Sequence, residues 1–235
     1  IRDTDRSRGL GDVDKRQELK TPLTSISGYA ELIENGMAKQ EDIPTFGHRI
    51  HKEAQRMITL VSDILQLSEL DGMSKQQENS PTADFVPVDL GVLVKDVATN
   101  MTVNARKAYI TLQYKVQPVT VRGSHDLLTE LVTNLCDNAI RYNRPGGHVE
   151  LSCGTNADGC PYFCVEDNGI GIPQDSQSRV FERFYRVDKS RSKATGGTGL
   201  GLAIVKHIAV LHGARIDLES TVGTGTTIRI IFPKM

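Results

Sequence analysis

Leu19, Leu23, Ile26, Ala30 and Ile33 recur at steps of 4, 3, 4 and 3, and no other feature constrains the fold as tightly. That spacing keeps all five on one stripe of a helix, because residues three and four apart share a face. A second stripe follows with Phe46, Ile50, Glu53/Ala54, Met57, Val61 and Ile64. Gly36 and Pro44 bracket a break between the two, so the pattern predicts two long amphipathic helices in an antiparallel hairpin. A lone hairpin cannot cover both apolar faces. Pairing with an identical hairpin closes a four-helix bundle as a C2 homodimer, while docking onto the rest of the same chain is the alternative. The length and heptad regularity favour the dimer.

The hairpin accounts for only part of the 235 residues. Residues 71–88 are polar and carry Gly72, Pro81 and Pro87, the composition of an interdomain linker. The expected division is therefore 1–70 for the hairpin, 71–88 for the linker and 89–235 for a second domain. There the texture turns α/β. Asp89 is placed to cap a helix with apolar face Leu90, Leu93, Val94, Val97, Ala98 and Met101. Ile110, Leu112, Tyr114 and Val116 alternate as a strand should, and Val119–Arg122 offers another. Ser124 can cap a helix running to about Tyr142. Strands follow near Val149–Cys153 and Tyr162–Glu166, a helix near Leu200–His212, and strands near Ala214–Glu219 and Thr226–Phe232. The fold class expected is α+β: a helical hairpin forming a dimeric bundle, then an α/β two-layer sandwich of one sheet under three helices.

Composition excludes several classes. With 28 Lys+Arg against 29 Asp+Glu the net charge is −1, too little positive charge for a nucleic-acid binder that works by neutralising phosphates. No run approaches the roughly 18 apolar residues of a membrane span, and no signal peptide opens the chain. It begins at Ile1 rather than Met, which raises the expectation of a piece of something longer. Cys136, Cys153, Cys160 and Cys164 lack C-x-x-C or zinc-like spacing and are expected to be reduced, structural thiols.

Chemistry gathers in the second domain. On the helix from Ser124, Glu130, Asn134, Asn138 and Arg141 recur at steps of 4, 4 and 3, a row of amides and charges pointing one way. Carboxamide oxygens are hard neutral ligands suited to Mg²⁺; a solvated helix face is the plainer reading. Asp167-Asn-Gly169-Ile-Gly171 follows a strand, where an aspartate can accept a hydrogen bond from an exocyclic amine of adenine. Gly196-Gly197-Thr198-Gly199-Leu200-Gly201 runs straight into a helix, and its backbone N–H groups make a phosphate site. Between these loops lie Arg179, Arg183, Arg186, Lys189, Arg191 and Lys193, with the composition of a basic lid.

The order of these blocks, completed by Gly223-Thr-Gly-Thr226, resembles the ATP-binding domain of sensor histidine kinases, within the wider GHKL ATPase group. The blocks are similar to that family's N, G1, F (Phe181-Glu-Arg-Phe-Tyr-Arg186), G2 and G3 boxes, and Glu18-Leu19-Lys20-Thr21-Pro22 is similar to its H box. The resemblance implies that Asp167, Gly169 and Gly171 meet adenine, with Thr226 beside it. It implies that Asn134 and Asn138 hold phosphates and Mg²⁺ (Asn138 as the metal ligand), and that Arg141 and Tyr142 flank the nucleotide. Arg186 and Lys189 become phosphate candidates, and Gly197, Thr198, Gly199, Leu200 and Gly201 the backbone entering the helix. It also implies autophosphorylation of a histidine, transfer to an aspartate of a response-regulator receiver domain, and a cytoplasmic portion of a membrane-anchored bacterial protein.

One position departs from the pattern. Where the family carries the phosphorylated histidine, this chain has Gln17, whose amide is not nucleophilic. A substitution, a natural pseudokinase, or a junction across missing residues would each account for it. With a histidine restored, Glu18 would serve as general base and Thr21 would orient water in a reverse, phosphatase reaction. As it stands the chain is expected to bind nucleotide without autophosphorylating. A GHKL-type ATPase and a nucleotide-binding scaffold are the rival readings.

Overall fold

The computed structural model describes residues 3–77, 85–188 and 197–234, with side chains from Leu19 onward and none over 74–77. Helix α1 spans Asp3–Glu34 and α2 Ile43–Gln77. The first ends where Gly36 adopts φ +67°, a conformation that favours glycine, and the amides of Gly36 and Met37 donate to the carbonyls of Ile33 and Leu32. That pairing satisfies carbonyls the helix end would otherwise leave open. Pro44 falls in the first turn of α2, where a missing N–H breaks no bond, so it opens the helix rather than interrupting it. Tyr29 and Phe46 pack with ring centroids 5.2 Å apart, and Arg49 donates to the Tyr29 hydroxyl at 2.6 Å.

Two expectations need correction. Helix α2 continues through residues 71–77, where polar composition suggests a linker. Charged and amide side chains propagate a helix well, and Leu70, only 1 % exposed, anchors this end. Further on, Val86–Asp89 forms strand β1 and pairs antiparallel with β3 (Thr120–Gly123), Val88 opposite Val121. The second domain thus has a two-stranded ribbon beside its main sheet instead of one sheet.

Asp89 caps α3 (Leu90–Lys107), its Oδ1 accepting from Gly91 N–H at 2.8 Å and Val92 N–H at 3.1 Å. Strand β2 (Thr111–Val116) precedes β3, and Ser124 then caps α4 (His125–Arg141). Strands β4 (His148–Thr155) and β5 (Pro161–Asp167) form a hairpin. A one-turn α5 (Gln174–Gln177), helix α6 (Gly201–Leu211) and strands β6 (Arg215–Thr221) and β7 (Gly225–Ile231) complete the described fold. The main sheet has the order β2-β4-β5-β7-β6, antiparallel except where β2 runs parallel to β4. That parallel pair requires a crossover, which β3 and α4 supply.

Leu93 and Val97 of α3, Leu131 and Leu135 of α4, and Ile204 and Ile208 of α6 are buried with Val149, Leu151, Phe163 and Ile230 of the sheet. This is one apolar core. It extends into the hairpin, since Leu60, Leu67 and Leu70 of α2 belong to it. The expected thiols are free: Cys136, Cys153 and Cys164 are buried and Cys160 is half-buried. Burial pushes the Cys136 thiol up to about 12, which leaves it inert.

Candidate functional site

A cavity of about 460 Å³ opens between α4, the segment after β5, the entry to α6 and helix α2. Its walls include Asn134, Asn138, Arg141 and Tyr142 from α4. The helix keeps Leu131 and Leu135 in the core and turns its amides outward, so an Asn-x-x-x-Asn row survives where propensity alone disfavours it. Asn134 Nδ2 donates to the Glu130 carbonyl at 3.1 Å, and Arg141 makes a 2.6 Å bond to Asp137 Oδ2 one turn back. Asn134 approaches the α6 entry so closely that a Cβ on Gly201 would stand 2.8 Å from its Oδ1. Only a glycine leaves that space open.

Asp167 closes β5 opposite Thr226 of β7. Its Oδ1 accepts from Gly169 N–H at 2.8 Å. Burial raises its carboxyl to about 6, against the opposing pull of the Gly169 and Thr226 hydrogen bonds. Gly171 has φ +69°, and a Cβ there would lie 2.1 Å from the Thr221 carbonyl. Asp167, Gly171 and Thr226 all line the cavity; Gly169 braces it from behind, against the Tyr142 carbonyl.

Gly197, Thr198, Gly199 and Gly201 form the wall at the start of α6, with Arg186 beside them. Arg186 Nη2 donates to the Thr198 carbonyl at 2.9 Å. Phe184, at φ +63°, donates its N–H to the Gly199 carbonyl at 2.9 Å, which pins the preceding segment to the glycine loop. Leu200 is fully buried in the core and does not face the cavity; its N–H donates to Thr198 Oγ1 at 3.3 Å. Lys189, with Arg191 and Lys193, lies outside the described residues. Among the described side chains of the hairpin, Thr21 is exposed on α1 and is not in the cavity wall; the side chains of Gln17 and Glu18 on the same helix lie outside the described residues.

Sequence reasoning missed the contribution of α2. Thr59 and Asp63 line the cavity. Asp63 Oδ2 accepts from the Thr198 hydroxyl at 2.6 Å, across 135 residues of chain. Burial raises the Asp63 carboxyl, opposed by that hydrogen bond and by the charge of Arg141. One turn on, Gln66 donates to Glu130, whose carboxyl burial lifts to about 7 with the charge of Asp63 adding to the rise. Farther along, Arg183 Nη2 donates to both oxygens of Asp71 at 2.6 and 2.9 Å, and His207 Nε2 stands 3.0 Å from Asp71 Oδ1. Partial burial would raise Asp71, but the Arg183 guanidinium, with His207 beside it, outweighs that and holds the carboxyl below the usual range. Nothing local in the α2 sequence signals these contacts, because they are made between elements far apart in the chain.

Most of the chain is similar to known proteins. Residues 16–72 match the family described as "His Kinase A (phospho-acceptor) domain". Residues 123–235 match "Histidine kinase-, DNA gyrase B-, and HSP90-like ATPase". The sensor-like histidine kinase SenX3 of Mycolicibacterium smegmatis is 38% identical over 92% of this chain, which spans 55% of that protein. The mycobacterial sensor histidine kinase MprB has a solved structure 31% identical to this chain, covering 63% of it and 97% of that structure's chain, with TM-score 0.55. The histidine kinase ThkA, solved in complex with the response regulator TrrA, is 21% identical; the match covers 99% of this chain and 64% of that one with TM-score 0.74, a likeness of fold.

Proposed function

We infer the function from one premise: this chain belongs to the histidine kinase family, a phospho-acceptor hairpin followed by a HATPase_c domain. Its proposed activity is ATP-dependent phosphorylation of a histidine and transfer to the aspartate of a response regulator. The observation that carries this reading is convergence: α4, the β5 end, the α6 entry and α2 surround one cavity.

In that cavity the Asp167 carboxylate would accept a hydrogen bond from the exocyclic amine of adenine, which selects adenine over guanine. The N–H groups of residues 197–201 and the positive end of α6 would face the phosphates. The residues present fit Mg²⁺: Asn138 and Asn134 offer hard oxygen donors beside a space that a single Cβ on Gly201 would fill. Bound there, the ion would neutralise charge on the terminal phosphates. Phosphoryl transfer asks the protein mainly for positioning, and the basic residues around Arg186 would supply it.

On α1 the acceptor position holds Gln17, which cannot take a phosphoryl group. Glu18 and Thr21 retain the roles of general base and water-orienting hydroxyl for a chain with histidine there. Ile58, Val61 and Leu65 of α2 stay 60, 43 and 60 % exposed, an apolar stripe suited to a second hairpin in a homodimer. Among the described residues no helix is long and apolar enough to cross a membrane. We assign the chain to the cytoplasmic portion of a membrane-anchored bacterial protein, its hairpin and second domain divided between the end of α2 and the start of β1.

Incubation with γ-labelled ATP and Mg²⁺ tests the reading. The chain is expected to bind nucleotide without acquiring label, and Gln17→His to acquire acid-labile protein phosphate. Release of free phosphate by the unaltered chain would point to an ATPase of the wider group. Binding with no label on Gln17→His would favour a nucleotide-binding scaffold, the reading that Gln17 itself recommends. Peptide mapping across Lys15–Pro22 establishes whether Gln17 and Glu18 are true neighbours.

A further inference from the structure

Helix α2 places a carboxylate on the loop that faces the phosphates. Asp63 bonds the hydroxyl of Thr198, a residue only 9 % exposed and held at its carbonyl by Arg186. The same hydroxyl accepts from Leu200 N–H at the entry to α6. Arg141 acts on Asp63 through its charge, yet it also bridges Asp137, so its positive charge is shared between two carboxylates. Asp167 belongs to a different wall, tied to Gly169 and facing Thr226 across β5 and β7. Asp167 and Asp63 line one cavity from different walls, Asp63 on the side of the glycine loop, so a nucleotide with its base at Asp167 and its phosphates at that loop would extend the phosphates toward Asp63. Each added phosphate then brings negative charge closer to a carboxylate that is half withdrawn from water, where Coulomb repulsion is poorly screened.

We propose that Asp63 is a specificity-determining residue: with α2 docked, its carboxylate on Thr198 favours a nucleoside diphosphate over a triphosphate, so the terminal phosphate and the docking of α2 compete. The proposal rests on the nucleotide assignment above. Linkage makes the competition reciprocal, so a triphosphate loosens α2 by the factor with which docking weakens the triphosphate. The rest of the docking face gives this one carboxylate leverage. Gln66 meets Glu130, Asp71 meets Arg183, and Leu60, Leu67 and Leu70 fill the space between. Repulsion at Asp63 therefore acts on a helix that is docked as a unit.

Titration calorimetry of the full chain with Mg²⁺, using ADP and a non-hydrolysable ATP analogue, tests it on the unaltered chain and on Asp63→Asn. Asparagine keeps the shape and an acceptor for the Thr198 hydroxyl but removes the charge. The variant is expected to bind the analogue roughly tenfold more tightly, within the ordinary range of coupling between sites, and ADP with a much smaller gain. An unchanged ratio of the two affinities, or a shift toward ADP, overturns the proposal. Hydrogen exchange on the unaltered chain is a second reading. The analogue should speed exchange over residues 59–71 and ADP should not, and equal exchange with both nucleotides overturns it. If the unaltered chain binds neither compound, the nucleotide assignment falls and takes this proposal with it. If it binds both and the ratio ignores Asp63, only the proposal falls.

Discussion

Asp167 is pulled in two directions by pH. Its carboxyl sits at about 6 in the fold against 3.8 in water, so the folded chain binds that proton more readily than the unfolded one. The stability contributed by this group is full below 3.8 and is lost as pH rises through about 6. The nucleotide recognition proposed for Asp167 would run the other way, because the ionised carboxylate is the stronger acceptor. Affinity for ATP is expected to fall as pH drops through about 6, and Asp167→Asn should cost roughly 10- to 100-fold and flatten that profile. Calorimetry between pH 5 and 8 checks both. Gly171 matters to the backbone instead, since alanine would bring Cβ within 2.1 Å of the Thr221 carbonyl at φ +69°. Gly171→Ala should destabilise the fold by at least about 1–3 kcal/mol, read as a loss of several degrees in Tm. Both residues were legible in the sequence because their chemistry is local: an acid at a strand end and glycines at alternate positions. His212 was not. It is 5 % exposed, accepts from Ser124 N–H at 3.2 Å, and stacks on Phe85 at 4.5 Å, all contacts with distant chain. Burial lowers its pKa from 6.5, so stability should decline as pH falls below about 6.5.

At the scale of elements, helices α3, α4 and α6 were readable from apolar spacing and from the caps Asp89 and Ser124. Strand β1 was not, since only Val88 of its four residues is buried and Pro87 argues against a strand. The end of α2 was hidden for a related reason: its hold on the second domain comes from Leu70 and Asp71, and Asp71 meets a partner more than a hundred residues away. That docking has its own pH dependence. Glu130 of α4 faces Gln66 and Asp63 of α2 and the Asn134 side chain on its own helix, and its carboxyl is raised from 4.5 to about 7. A raised acid stabilises the state that raises it below 4.5, and that contribution is lost as pH climbs through about 7. Asp63 is raised as well and adds in the same direction. Hydrogen exchange over residues 59–71, corrected for intrinsic rate, should therefore increase between pH 6 and 8. Glu130→Gln should shrink that rise, leaving the part that Asp63 contributes.

For the whole molecule, the hairpin's regularity predicted a partner, and the structure gives α2 a second neighbour inside the chain. The docking residues Leu60, Asp63, Gln66, Leu67, Leu70 and Asp71 are set against the open residues Ile58, Val61 and Leu65. At about 100° per residue the two sets point in nearly opposite directions. Paired substitution Ile58→Glu with Leu65→Glu is accordingly expected to dissociate a dimer while leaving nucleotide binding within about threefold, by light scattering and calorimetry. One rod thus serves as the axle between two bearings. A torque applied by a twin hairpin on the outer side would swing Asp63 off the glycine loop without any residue of that loop being touched.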